Sequence, residues 1–236
     1  MSYISSLTTE QVAALTTDNV VSLSTSQIQE LSSAQIVALT TDQAGVLTTA
    51  QVAALTTSQI DAFETEDLAA LTTSAVAALT TAQIQSLTTD QVAGLSSNQA
   101  GALTTVQLRV LTTEQLVALE TADFAALSTA AVAALTTTQT QALTTDQLGT
   151  LSSDEIVALT TAQVAALTTA QIMGLTTAQT GGLTSVQVRA LTTAQVKALE
   201  TADFDALATN TVAALTTAQV VALTTDQLGT LSSDEI

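Results

Sequence analysis

Leucine recurs every eight residues along almost the whole chain, and this spacing constrains the fold more than any other feature. From Leu7 to Leu231, in steps of eight, 28 of 29 positions are Leu and the exception is Phe63. With this residue as position 1, the consensus octad reads Leu-Thr-Thr-x-Gln-(Val/Ile/Leu)-x-Ala. An internal repeat of this kind is decisive for architecture. We therefore read the chain by octad position.

Each octad carries the signature of a helix start. Position 2 is Ser or Thr in 25 of 29 octads, and position 5 is Gln or Glu in 22. Ser/Thr followed three residues later by Gln/Glu forms a capping box, and the apolar residues at positions 1 and 6 have the spacing of a hydrophobic staple. Leu159, Thr160, Gln163 and Val164 show the complete pattern. One short helix per octad is the prediction.

Glycine and charge placement indicate where each helix ends. Glycine at positions 7 and 8 would suit a residue of positive φ at a helix C-terminus. Of the 21 acidic residues, 18 lie at positions 2, 4 or 5, and all three basic residues lie at position 7, as a helix dipole favours. The glycines are Gly45, Gly94, Gly101, Gly149, Gly174, Gly181, Gly182 and Gly229, and the basic residues are Arg109, Arg189 and Lys197.

Other regular folds fit the octad less well. In one straight helix an eight-residue repeat would advance about 80° per copy, so the Leu stripe would spiral around the axis. A coiled coil requires a seven- or eleven-residue period. A β-solenoid remains an alternative because Thr and Val favour strands. Leu at position 1 and Val at position 6 would nevertheless face opposite sides of a strand.

The octads therefore predict an all-α solenoid over residues 1–236, a single tandem-repeat domain that forms an elongated rod. Helices of about six residues are too short to be stable alone, so each must pack on its neighbours. We expect positions 1 and 6 to point inward and positions 3, 4 and 7 outward. A small residue at position 8 lets helix backbones approach. About three octads per superhelical turn would fill the axis, with two or four as alternatives.

A longer repeat lies on top of the octads. Residues 121–156 closely match residues 201–236, an offset of ten octads. Residues 226–236 repeat residues 146–156, after which the chain continues directly into Val157 and another octad. Solenoids usually end in polar capping repeats. We therefore expect this chain to be a fragment of a longer array.

Composition argues against several classes of function. The net charge is −18, which disfavours nucleic acid and anionic membranes as partners. Thr and Gln interrupt every apolar stretch, and residues 1–9 lack the pattern of a signal peptide. The chain has no His, no Cys and a single Lys, Lys197, so the usual activated nucleophiles cannot be assembled. We expect no enzyme activity and no cofactor.

Three variant octads are the weak candidates for a specific site. Each replaces the hydroxyl at position 2 and the Gln at position 5 with carboxylates, and in the following octad position 5 is Ala75, Ala131 or Thr211. Two carboxylates three residues apart could bind a cation such as calcium, whereas the alternative is that they only stabilise a helix N-terminus. For the adjacent acids Asp154-Glu155 and Asp234-Glu235 the same two interpretations apply, a functional carboxylate pair or stabilisation of a helix N-terminus. The candidate pairs are Glu64 with Asp67, Glu120 with Asp123, and Glu200 with Asp203.

The Leu-Thr-Thr-x-Gln octad resembles repeat arrays of very large bacterial secreted or surface proteins that are adhesin-like in overall design. It is also similar to rod-forming helical repeats called heliorods. The resemblance covers essentially the whole chain and implies a helical rod at the cell surface or outside the cell. It transfers no catalytic or binding residues. We expect a structural spacer whose partners are flanking domains, or alternatively a scaffold whose repeated surface binds a protein, a carbohydrate or ice.

Overall fold

The computed structural model describes residues 4–233, and within them each complete octad from Leu7 to Thr230 forms one short α-helix. This part of the chain contains no strand, so the β-solenoid alternative is wrong and the all-α prediction is confirmed. None of the described helices is long and apolar enough to cross a membrane. After a 3₁₀ turn at Ile4–Ser6, the helices are α1 Thr9–Ala13, α2 Thr17–Ser22, α3 Thr25–Gln29, α4 Ser33–Val37, α5 Thr41–Gly45, α6 Thr49–Ala54, α7 Thr57–Asp61, α8 Thr65–Ala70, α9 Thr73–Ala77, α10 Thr81–Ser86, α11 Thr89–Ala93, α12 Ser97–Gly101, α13 Thr105–Val110, α14 Thr113–Ala118, α15 Thr121–Ala125, α16 Thr129–Ala133, α17 Thr137–Ala142, α18 Thr145–Thr150, α19 Ser153–Ala158, α20 Thr161–Ala166, α21 Thr169–Met173, α22 Thr177–Gly181, α23 Ser185–Ala190, α24 Thr193–Ala198, α25 Thr201–Asp205, α26 Thr209–Val212, α27 Thr217–Ala222 and α28 Thr225–Thr230.

The capping box forms as the sequence predicts. Thr104 has an extended backbone (φ −72°, ψ 157°), and its hydroxyl accepts a hydrogen bond from the backbone N–H of Gln107. In return, the N–H of Thr104 donates to Oε1 of Gln107 at 2.8 Å. Extended Leu-Thr pairs of this kind form the corners between helices.

The helix ends differ from the prediction. No described residue, glycine or otherwise, has a positive φ. Apart from α26, which ends one residue earlier at Ala213, each helix either ends in an αR residue at position 8, such as Ala14 (φ −86°, ψ −3°), or runs up to an extended Leu, such as Leu23 (φ −64°, ψ 133°). Because the next helix starts two residues after that Leu, an extended corner replaces the left-handed residue. The expected role of glycine at these positions is therefore wrong.

The interior consists of the residues at positions 1 and 6, as predicted. Leu108 at position 6 and Leu111 at position 1 are buried, and so are Phe124 and Phe204 at position 6. Positions 3, 4 and 7 are mostly exposed or half-buried. The burial of one large apolar side chain from position 1 and one from position 6 of most octads stabilises helices that would not form alone.

Within each of two units the helices pack against the third helix further along the chain, as α5 does on α8 and α21 on α24. This confirms about three octads per turn. The contacts divide the chain into two units, Met1–Leu127 and Ser128–Ile236, and the same packing rule operates within each.

Candidate functional site

The outer surface is built from short polar and small side chains. Hydroxyl groups at positions 2 and 3 lie beside exposed residues at position 4, which are often Ala or Asp. Larger apolar side chains are exposed singly at position 4, as Val106 (59% exposed) and Val186 (66%) are, and Val221 (81%) at position 7 is exposed beside Val220. Isolated apolar side chains of this kind are normal on a protein surface.

Charged residues at the helix ends follow the dipole. Arg109, Arg189 and Lys197 lie in the last turns of α13, α23 and α24. Hydrogen bonds from their own backbone N–H groups lower the pKa of Glu10 and Glu114, which lie in first turns. These charges therefore stabilise helix termini.

The Gln at position 5 has a second role that the sequence analysis missed. In addition to the capping box, Nε2 of Gln107 donates to the backbone carbonyls of Val76 at 2.9 Å and Leu79 at 2.8 Å. Val76 lies in the last turn of α9, 31 residues earlier, and Leu79 lies at the corner between α9 and α10, 28 residues earlier. The Gln side chain is 3% exposed. A single buried amide thus caps its own helix and satisfies the backbone of the preceding turn.

This arrangement recurs throughout both units. A carbonyl at the corner one turn earlier accepts from Nε2 of Gln35, Gln43, Gln51, Gln59, Gln83, Gln91, Gln99, Gln107, Gln115, Gln163, Gln171, Gln179, Gln187, Gln195, Gln219 and Gln227. We call this set the Gln ladder. The sequence held a signal for it, because position 5 is Gln in 20 octads and Glu in only two although both residues complete a capping box.

The three variant octads interrupt the Gln ladder. Glu64, Glu120 and Glu200 are exposed N-cap residues whose side chains make no capping hydrogen bond. Their partners at position 5, by contrast, are buried: Asp67 is 3% exposed, and Asp123 and Asp203 are similar. The members of each predicted pair therefore occupy different environments, one in solvent and one inside.

The buried Asp side chains face hydroxyl groups from the preceding turn. Oδ1 of Asp123 accepts from the Ser97 hydroxyl at 2.6 Å, and Oδ1 of Asp203 accepts from the Thr177 hydroxyl at 2.8 Å.

Asp67 is less well satisfied. Within the described residues its Oδ2 is buried without a hydrogen-bond partner. Burial raises the pKa of Asp67, a hydrogen bond with Thr41 opposes this shift, and the nearby charges of Glu64 and Glu66 add to it. The chemistry of these positions is that of an internal hydrogen-bond acceptor.

The chemistry available for ion binding or catalysis is sparse. Residues 4–233 contain no cluster of three or more acidic side chains that could hold a metal ion. Asp154 and Glu155 lie in the first turn of α19, where Glu155 completes the capping box with Ser152. Asp234 and Glu235 lie outside the described residues. The cation hypothesis for the six candidate carboxylates stays a prediction.

The interior of the first unit contains a small cavity of about 10 Å³. It is lined entirely by Val, Leu and Ile side chains, including Val12, Leu31 and Leu55. This volume is near the minimum for one water molecule, and an apolar lining gives such a water no partner. In the second unit an open groove is lined by Thr193, Lys197 and Val221.

Comparison with known proteins finds the same repeat. The family model of the ALTTAQ repeat matches five segments, residues 20–57, 60–97, 116–153, 148–185 and 196–233, which together cover well over half of the chain. The search of curated proteins found no match to this chain.

Proposed function

Because this chain belongs to the ALTTAQ repeat family, we propose that it is a structural spacer, a rod-like segment that holds other parts of a larger protein apart. The observation that carries the proposal is the Gln ladder. A spacer must resist bending and local opening, and the ladder connects successive turns at a regular interval. Each connection uses buried amide-to-carbonyl bonds such as those of Gln107, at 2.8 and 2.9 Å.

The absence of specialised chemistry in the described residues supports the same proposal. The repeat is helical throughout, and no enzyme family matches alongside it. We propose that the chain is not an enzyme. General acid-base and nucleophilic catalysis need groups with suitable pKa values in a shaped pocket. The described interior consists of apolar side chains, neutral amides and a few hydroxyls, and its buried carboxylates belong to four different octads, at Asp67, Asp123, Glu155 and Asp203.

A second candidate function is a binding scaffold, favoured by the regular exposure of hydroxyl groups at positions 2 and 3. Such a surface could hydrogen-bond to a protein, a carbohydrate or ice. The spacer is the stronger proposal because the surface residues vary without forming one distinct patch, whereas the internal bonds recur from turn to turn.

The spacer proposal can be tested by shortening the chain by whole octads. Deletion of residues 121–200 joins Glu120 to Thr201 and restores the local sequence Glu-Thr-Ala-Asp, so the 156-residue product keeps the octad register. For a rod, the radius of gyration scales with length and should fall to about two thirds of its original value. For a compact protein it should fall only to about 85%.

Small-angle X-ray scattering measures this ratio, and circular dichroism verifies that both chains remain helical. A radius near 17–18 Å for the complete chain, as about 236 residues in a globule would give, would refute the rod. Retention on carbohydrate arrays or ice shaping by both chains, scaling with octad number, would favour the scaffold.

A further inference from the structure

Three pairs of octads depart from the consensus in a matched way. We call them the paired octads, and in each pair the second octad begins 24 residues after the first. The first octad has a small residue at position 6 and Gly at position 7, and the second has Glu at position 2, Asp at position 5 and a large residue at position 6. The pairs begin at Leu39 and Phe63, at Leu95 and Leu119, and at Leu175 and Leu199.

The first match is a polar contact. The hydroxyl at position 3 of the first octad faces the buried Asp of the second, as Ser97 does for Asp123 and Thr177 for Asp203. A carboxylate cannot donate to backbone carbonyls as Gln does. The Asp therefore requires a hydroxyl donor; because every octad has Ser or Thr at position 3, this contact accounts for Asp in place of Gln but does not select one preceding octad.

The second match is a close approach of two backbones. A Cβ atom at Gly101 would lie 2.7 Å from the carbonyl oxygen of Ala126, and one at Gly181 would lie 3.0 Å from that of Ala206. Gly149 also occupies position 7, but it belongs to no pair, and a Cβ atom there would meet no other atom within 4 Å. The close approach thus belongs to the paired octads and is not a general consequence of glycine at position 7.

The third match is in side-chain volume at the inward position 6. Ala100 in the first octad corresponds to Phe124 in the second, and Thr180 corresponds to Phe204; all four are essentially fully buried. A small residue three octads before a large one keeps the local interior filled.

We propose that the paired octads fix the register in which the chain stacks. Consensus octads are nearly interchangeable, so a helix could dock on a neighbour shifted by one octad and recover the same Leu, Val and Gln contacts. Looping out eight more residues adds little entropic cost. A glycine approach and a volume match that fit only one partner penalise the shifted arrangements, because a Cβ atom or a second large side chain would have to occupy the same space.

The test uses cross-linking during refolding, since the chain has no Cys of its own. Cys replaces Gly181 together with one of Ala206, Ala198 or Ala214, which occupy position 8 in the native partner octad and in the octads on either side of it. The Cβ positions of residues 181 and 206 are 3.7 Å apart, a distance suited to a disulfide. Each protein is unfolded, refolded in a thiol redox buffer and mapped by mass spectrometry.

In the native background we expect the 181–206 cross-link to exceed either shifted cross-link by about tenfold, equivalent to about 1.4 kcal/mol. The comparison variant converts the pair to consensus through Thr180→Val, Glu200→Thr, Asp203→Gln, Phe204→Val and Thr211→Gln. Because these are the residues of ordinary octads, the variant should fold, and the preference should fall several-fold. The single change Phe204→Val removes the volume match alone and should also reduce the preference.

An undiminished preference for residue 206 in both variants would overturn the proposal, because the consensus octads alone would then set the register. Cys at position 181 adds a side chain to the close approach and so disfavours the 181–206 contact in every protein compared. Because this cost is common to the native and comparison backgrounds, it cancels in the change of the cross-link ratio between them, and that change measures the match in side-chain volume.

Discussion

Replacing Gln107 with Glu tests the second role of the Gln ladder separately from capping. Glu has the same length as Gln and serves equally in a capping box, as Glu155 does in this chain. The change therefore keeps the bond from the N–H of Thr104. It removes the two short donations to Val76 and Leu79 and a weaker one of 3.3 Å to Ala77.

The expected cost at pH 7 is about 3 kcal/mol. Each lost hydrogen bond contributes about 0.5–1.5 kcal/mol, and a buried carbonyl left without a donor adds to this. The new carboxylate would also point its negative charge at carbonyl oxygens in a site that is 3% exposed in the native protein. Burying an unpaired charge is unfavourable.

The cost should depend on pH with a definite sign. Burial and the facing carbonyls should raise the pKa of the introduced Glu above its value in the unfolded chain. Stability is then greatest below the unfolded pKa, where the protonated acid can donate one hydrogen bond, and falls as the pH rises through the folded pKa. We expect the variant to lose less at pH 4 than at pH 7.

The matched control is Gln85→Glu, which makes the same chemical change at an exposed position 7. Urea unfolding followed by far-ultraviolet circular dichroism gives the midpoints, and hydrogen exchange at the corner before α10 localises the effect. Such local readout is needed because long repeat arrays unfold in parts. Equal midpoints for the two variants at both pH values would show that the inter-turn bonds contribute nothing.

Three further predictions follow from single positions. Gly149→Ala should stabilise the chain by about 0.5–1 kcal/mol because the added Cβ meets open space. Gly101→Ala should destabilise it because the added Cβ would lie 2.7 Å from the Ala126 oxygen. The melting temperatures of the two variants should therefore shift in opposite directions. Ala208→Ser should add about 1 kcal/mol, since this N-cap makes no side-chain bond, and an unchanged melting temperature would contradict it. Because burial raises the pKa of Asp67, the native chain should lose stability as the pH rises above the ordinary Asp value. Asp67→Asn should reduce this loss. Parallel pH profiles of stability for the two proteins would refute the raised pKa of Asp67.

The candidate site was only partly visible in the sequence. The recurrence of Glu64 with Asp67, and of the two later pairs, marked these octads as special. From the sequence alone, however, each carboxylate pair is interpreted as one local group. The structure separates them, with Glu64 exposed and Asp67 buried. Their matching to octads 24 residues earlier was not predicted, because spacing along one helix carries no information about which residue of the previous turn lies opposite.

The sequence by itself determined where each helix begins and which of its residues point inward. Capping boxes, staples and the placement of charge depend on atoms three or four positions apart, so reading Thr104 and Gln107 together was enough to predict a helix start. The inward positions 1 and 6 followed because helices this short must pack.

Only the tertiary structure decided how one turn contacts the next. The bonds from Gln107 to Val76 and Leu79 exist because stacking brings residues 28 to 31 apart into contact. The same stacking makes Gly101 a point of close backbone approach, where the sequence had predicted a positive φ. Local periodicity fixes each helix, and the superhelical turn fixes which carbonyls and hydroxyls each side chain meets.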